Sequence, residues 1–530
     1  MVTNASLRQA ETKTFTFQAR LALDVQAEHA LSGCAHHLSH VERCLFADFC
    51  KGESIRALKS HYLIKFGITA RQFNAVRMIL EGKIAALKEI QKQRVKDLSD
   101  NLKKLSKTIQ KISKRSTPKQ KLSLHQKKRA LERIKHRLNQ LEQDIATKRV
   151  RMCFGQLKRF KKQFHLTENN YEQLSDWKND WHGARNNQFY VLGSKDETMG
   201  NQSCVVNVAN HNHLTLKLRL PKAISASYGN YITLENIKVD YGLDRLLAAI
   251  KENQFRTELK SSAQVKIHGD RYKQHGTAIN YRFLHDEKGW RVFITVSQVA
   301  PKIVTHEKTG AIGVDINANH LAVAEIDRTG NCISSFNIPL STYGKSQHQA
   351  KAVIGDAVAS LVTYAHDKQK PIILEDLDFS DKKRSLDTNH KRQARLLSAF
   401  AYRQIIQHIE SRAFRAGVGT HKVNPAYSSV IGRVKFARVY NQLSVHRAAA
   451  MVIARRYFRY SERLPHCWDH IPDNKGGHVT LLKLVKISNR HVWHTWGKVM
   501  KNLQEVLAAP YQMFRGAAGP PVLTGDDIPF

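Results

Sequence analysis

The chain has 530 residues, with 85 Lys and Arg against 45 Asp and Glu, a formal charge of +40. Self-repulsion makes that excess costly in an isolated domain, so a polyanion, nucleic acid first, is the expected partner and a membrane surface the weaker alternative. There is no long apolar span or lipidation signal, and the start MVTNASLRQAETKTFTFQARLALD has neither an apolar h-region nor a small-residue cleavage site, so secretion is not expected. The seven cysteines are scattered without any CxxC, which argues against disulfides and structural zinc and for a reducing, cytoplasmic location.

In chain order, TFTFQARLALDV (14–25) reads as a strand, followed by helices over about 27–49 and 70–93. Val95, Leu98, Leu102, Leu105, Ile109 and Ile112 continue at helical spacing. Ser116-Thr117-Pro118 interrupts the run, and Leu131, Ile134, Leu138, Leu141 and Ile145 resume it, which predicts a helical hairpin. Residues 91–160 hold 22 Lys or Arg and only 5 Asp or Glu, few enough to forgo most i,i+4 pairing. A solvated face remains open for this segment. Phosphate-backbone binding is the favoured expectation, through Lys103, Lys104, Lys107, Lys111, Lys114, Arg115, Lys127, Lys128 and Arg129.

Residues 188–305 turn to short β-like runs, HLTLKLRLP, YITLENIKV, AINYRFLHD and WRVFITVSQV, between Gly, Asn and Asp turns. They predict an all-β module, a small barrel completed by the strand near residue 15. From 309, GAIGVDI, LAVAEID and NCISSFNI predict three meander strands. A helix over 347–367, a buried strand PIILEDL and helices over about 390–416 and 444–458 follow, the last capped by Ser444. That order is ribonuclease-H-like. The last sixty residues, with PDNKGG and GAAGPP, read as partly irregular.

Asp315 and Glu375 each end an apolar strand. If those strands lie side by side and parallel, both acids emerge at one sheet edge, where their repulsion is relieved by a shared divalent cation. All-oxygen ligands suit Mg²⁺, with Mn²⁺ as substitute.

The series Gly-Val-Asp-Ile-Asn, Leu-Glu-Asp-Leu, Asn424-Pro425-Ala426-Tyr427-Ser428-Ser429 and Ser444-Val445-His446 resembles the RuvC-type nuclease of TnpB-family transposon-encoded proteins and type V CRISPR effectors. The resemblance implies a multidomain protein: an α/β ribonuclease-H-like core, a β-barrel wedge domain and an inserted helical recognition domain. The corresponding segments are 1–26 and 188–307 for the wedge, 27–187 for the recognition domain, 308–465 for the nuclease and 466–530 for an extension. It further implies an RNA-guided, Mg²⁺-dependent DNA endonuclease with a guide RNA and target double-stranded DNA as partners. A nuclease-inactive RNA-guided DNA binder and a transposition accessory protein are the alternatives.

Two departures stand out. The family's four-cysteine zinc ribbon is replaced by 432–442, which has no cysteine, so no zinc is expected. Its last helix opens with an aspartate, where this chain has Ser444 before Val445-His446, in an acid-free stretch from Glu410 to Glu462. Asp356, alone among small and apolar residues, is the expected replacement. The predicted metal set is therefore Asp315, Asp356 and Glu375, with His446 as a catalytic neighbour, while Asp376 and Asp378 serve local structure.

Overall fold

The computed structural model describes residues 12–113, 118–209, 213–261, 275–299, 301–342, 344–376, 399–440, 443–464, 470–472, 478–480 and 491–513. These fall into two compact units, Thr12–Gln298 and a second from Val299 onward.

In the first unit, strand β1 (Thr12–Arg20) joins β2 (Gln188–Val191), β6 (Ile279–Asp286) and β7 (Gly289–Val299) in a sheet of order β1-β7-β6-β2. Period-two alternation sends Trp290, Val292, Ile294 and Val296 of β7 into the core. A separate antiparallel sheet holds β3 (Cys204–Val208), β4 (His213–Arg219) and β5 (Tyr231–Lys238). The strand near residue 15 therefore pairs as expected, but among the described residues the strands form two open sheets and no closed barrel. The 188–305 stretch is also not all-β, since Leu243–Ser261 is a helix that buries Leu246, Ala249 and Ile250.

Between β1 and β2 the chain is helical: α1 (Val25–Cys50), α2 (Lys59–Phe66), α3 (Ala70–Ser113), α4 (Pro118–Ala146) and α5 (Leu174–Arg185). Asp24 caps α1 by accepting from the Ala27 amide at 2.7 Å. Helix α3, with 44 residues, is about 66 Å long. Its fully buried positions end at Ile84; beyond that, Val95 to Ile112 are half-buried along α4, as the predicted hairpin requires.

In the second unit, β8 (Ala311–Ile316), β9 (His320–Ile326), β10 (Cys332–Pro339), β11 (Ile372–Glu375) and β12 (Thr420–Val423) form a sheet of order β10-β9-β8-β11-β12. The first three are antiparallel neighbours, whereas β11 runs parallel to both β8 and β12. This is the ribonuclease-H-like order. Strand β8 is buried along its whole length, hence its apolar sequence.

Alternate β8 residues face opposite layers. Ile312, Val314 and Ile316, with Ile372 and Leu374 of β11, cluster with Ile354, Val358 and Leu361 of helix Gln347–Asp367 and Ile405 and Ile409 of helix Ala399–Ala416. Ala311 and Ile373 face the other way, among Ala448, Ala450 and Met451 of helix Val445–Tyr457 and Trp496 and Val499 of helix Val492–Met513. In chain order, counting Leu243–Ser261 as α6, these four helices are α7 to α10. The carboxyl-terminal region thus holds an ordered helix docked on the ribonuclease-H-like sheet, and Trp496 Nε1 donates to the Glu462 carbonyl at 2.8 Å. Glu325 and Lys370 form a buried ion pair at 2.6 Å, and the Tyr364 hydroxyl donates to the same carboxylate at 2.5 Å.

Candidate active site

Strand register decides what meets at the sheet edge. Ile372 lies opposite Ile312 and Ile373 opposite Gly313. Continued by two residues, the parallel ladder sets Glu375 beside Asp315, on strands spaced about 4.8 Å apart and on the same side of the sheet. Helix α9 crosses that side at very short range. A Cβ on Gly313 would stand 1.9 Å from the Ala450 carbonyl oxygen, so the close approach requires glycine facing the small Ala448-Ala449-Ala450 run. The first turn of α9, capped by Ser444 Oγ accepting from the Arg447 amide, thereby reaches the edge.

His446 Nδ1 lies 3.1 Å from Oδ2 of the buried Asp315. Asn317 Nδ2 donates to the same oxygen at 3.1 Å. The His320 ring stands edge-on to His446, with centroids 5.3 Å apart. On the neighbouring strand, the Ser428 hydroxyl donates to Glu375 Oε1. Ser428 is placed by Tyr427, a non-glycine residue at φ 61°, and by Arg456, whose guanidinium donates to the Asn424 and Ala426 carbonyls. Burial lowers the Arg456 pKa against the opposing charges of Glu375 and Glu462. Tyr402 of α8 senses both acids: burial first, then the charges of Asp315 and Glu375, push its phenol well above the usual range.

Of the residues expected from sequence, Asp315 and His446 are brought together and Glu375 stands beside them. Asp356 is not brought there. It is exposed midway along α7, which packs Ile354, Ala357, Val358 and Leu361 on the opposite layer of the sheet. The Asp376 amide donates to the Val423 carbonyl at 2.7 Å, a strand-end contact, while Asp378 lies outside the described residues. In the other unit, Lys103, Lys104, Lys107, Lys111, Lys128 and Arg129 are exposed and Lys127 is half-buried; Lys114 and Arg115 lie outside the described residues. Sequence reasoning assigned no role to Asn317, Ser428 or Tyr402. The first two sit inside the quoted Asp-Ile-Asn and Asn-Pro-Ala-Tyr-Ser-Ser motifs, whereas Tyr402 left no signal.

Among the described residues, no three His, Cys, Asp or Glu side chains converge as a ready metal cage. The donors come as pairs, two carboxylates on adjacent strands and an imidazole on one of them. That set fits Mg²⁺, which keeps several waters and takes one or two protein carboxylates beside substrate phosphates. Within the segment in the zinc-ribbon position, Gly432–Phe436 is a helical turn that buries Gly432, Val434 and Phe436, with Gly432 against α9. No helix among the described residues is long and apolar enough to cross a membrane.

No protein-family model matches this chain, and no curated protein does. Among solved structures, it is similar to T. thermophilus RuvC in complex with a Holliday junction substrate, at 18% identity over 28% of this chain and 94% of that one, TM-score 0.22. It is also similar to a Cas12f1–sgRNA–target DNA complex, at 12% identity over 84% of this chain and 99% of that one, TM-score 0.31. A Cas12i–crRNA–dsDNA complex is a third, at 10% identity over 75% and 67%, TM-score 0.27.

Proposed function

We propose that the chain is a RuvC-like nuclease that cuts DNA phosphodiester bonds under RNA guidance. The observation that carries the nuclease reading is the placement of Asp315 beside Glu375 at the end of parallel neighbouring strands, with His446 bound to Asp315. RNA guidance is supported by the motif series that resembles TnpB-family and type V effectors, and by the charge of +40, which suits a guide RNA and double-stranded DNA target.

A divalent ion held by Asp315 and Glu375 would supply an activated water and steady charge on the phosphoryl oxygens. The protein's own contribution is orientation. Asn317 and His446 fix Oδ2 of Asp315, and Ser428 fixes Oε1 of Glu375, so neither carboxylate needs to reorganise when substrate arrives. His446 lies in the first turn of α9, two residues beyond Ser444, which stands where the family has its acid, and an imidazole suits proton transfer to or from a phosphate ester oxygen. We therefore assign the centre to Asp315, Glu375 and His446, with Asp356 outside it.

One observation favours a second reading, a guided DNA binder that does not cut: Ser444 supplies no charged ligand, and the described residues hold no three-ligand cluster. The test is purification of the chain with its copurifying RNA, sequencing of that RNA, and incubation with a matched target and Mg²⁺ or Mn²⁺. Cleavage should vanish in Asp315→Ala and Glu375→Ala, fall about 10²-fold or more in His446→Ala, and persist in Asp356→Ala. Tight target binding without any cutting by the unmodified protein would establish the silent binder instead. Bound RNA that is only random cellular fragments would refute guidance.

A further inference from the structure

The Thr12–Gln298 unit contains a cavity of about 540 Å³ that nothing in the nuclease reading uses. It lies between α1, α3, the 152–156 turn, the end of α5 and the edge of the β2–β6 pair. Its bed is apolar, and Lys83, Phe154, Arg185, Tyr190 and Arg282 line it. The volume falls within the range of pockets that enclose a small organic ligand. The only carboxylate among the described residues of its wall, Glu42, is taken by Lys83 at 2.6 Å.

A stack of flat groups ends at this cavity. On α5, Trp177, Trp181 and Arg185 follow one another at the four-residue spacing that aligns side chains on one helix face. The two indoles are stacked with centroids 5.3 Å apart and planes at 12°, and the Arg185 guanidinium carbon lies 4.3 Å from the Trp181 ring centre. Trp177 is buried in the unit. Arg185 lines the cavity and Trp181 does not, so Arg185 is the member of the stack at the cavity wall. The stack is braced from the side: Gly155 and Gln156 are consecutive left-handed residues at φ 84° and 73°, and a Cβ on Gly155 would stand 2.9 Å from Trp181 Nε1.

The two arginines at this end of the stack lack anions. Arg43 donates to Asn186 Oδ1 at 2.8 Å and Arg185 to the His182 ring at 2.9 Å, both neutral acceptors, and neither arginine forms an ion pair among the described residues. The Nε of Arg185 is buried without an acceptor. Burial, and then the charge of Arg185, lower the Arg43 pKa, as expected for two guanidinium groups held near one another. A planar cation at the end of an aromatic stack, without a paired carboxylate and with a second arginine behind it, matches a nucleobase attached to a phosphate.

We propose that this cavity receives one unpaired nucleotide of a single-stranded RNA, its base stacked on Arg185 and its phosphate countered by the charges of Arg185 and, behind it, Arg43. The proposal rests on the reading of this chain as an RNA-binding protein and is independent of the nuclease centre. It is best tested in an Asp315→Ala background, where cleavage does not intrude. The full-length chain, freed of copurifying nucleic acid, is titrated with a short unstructured RNA carrying one photoreactive thiouridine, and with AMP. Crosslinks should map to the peptide around Trp181–Tyr190. Arg185→Lys, which keeps the charge but loses the flat face, should weaken RNA binding about tenfold with an unchanged salt slope. Arg185→Gln should in addition lower the log–log salt slope by about 0.7. Binding by Arg185→Lys equal to the parent, or crosslinks confined to 91–160, would overturn the cavity assignment while leaving RNA guidance standing. AMP saturating the cavity without competition from the RNA would overturn it in favour of a free-nucleotide site.

Discussion

Replacing Gly313 by alanine probes the contact on which the whole site depends. The added Cβ would stand 1.9 Å from the Ala450 oxygen and 2.9 Å from both the Ala450 carbonyl carbon and the Ala454 nitrogen, where ordinary contact begins at 3.4 Å. All three are backbone atoms of α9, so no side chain can swing aside and the helix must retreat by about 1.5 Å. Overpacking of this kind costs about 1–3 kcal/mol. For a unit of some 200 residues, each kcal/mol lowers Tm by about 2–4 °C. The same retreat draws His446 away from Asp315, opening a 3.1 Å contact beyond hydrogen-bond range, and a displacement of about 1 Å in a catalytic set costs roughly 10²-fold in rate. The assay pairs thermal unfolding with single-turnover cleavage. Gly355→Ala is the control: nothing lies within 4 Å of its added Cβ, on a helix where alanine is favoured by about 1 kcal/mol. A Gly313→Ala protein that melts and cuts like the parent would mean that α9 does not lie on β8 as described.

Lys370→Met should destabilise the second unit by about 3–5 kcal/mol by leaving Glu325 buried without its cation, read from urea midpoints. Burial alone would raise the Glu325 pKa, but bonds from Lys370 and Tyr364 outweigh it and hold it below 4.5. In the parent this contribution is complete above the ordinary carboxylate value and is lost as pH falls below it through the lowered folded-state value; in Lys370→Met burial dominates, and stability should instead fall as pH rises. Ser428→Ala removes the donor that fixes Glu375 and should cost about 10- to 100-fold in cleavage or Mg²⁺ affinity, with little change in Tm; parental kinetics would remove Ser428 from the site. Changing exposed Lys103, Lys104, Lys107 and Lys111 together to Gln should lower the log–log salt slope of RNA or DNA binding by up to about 3, whereas an unchanged slope would make this helix face merely solvated.

What sequence could reveal here was what local patterns encode. Apolar runs ending in Asp315 and Glu375 marked two strands and their carboxylates, three-and-four spacing marked the α3–α4 hairpin, and Ser444 marked the start of α9. Even the fate of Asp356 was written locally: Ile354, Ala357, Val358 and Leu361 form the apolar face of its helix, and Asp356 falls off that face. Placing it in the site meant weighing its isolation among small residues above the period of the helix. The remaining features depended on groups far apart in the chain. Whether strands of the first unit close into a barrel or form two sheets is a matter of which edges pair, and single-strand patterns are the same in either case. That Glu375 stands beside Asp315 follows from a parallel register between segments about sixty residues apart, and His446 reaches Asp315 because Gly313 and a run of alanines let a helix settle directly on the sheet. Residue types and their periods are local properties of the chain, but a site is a set of distances, and those are set by packing between distant segments.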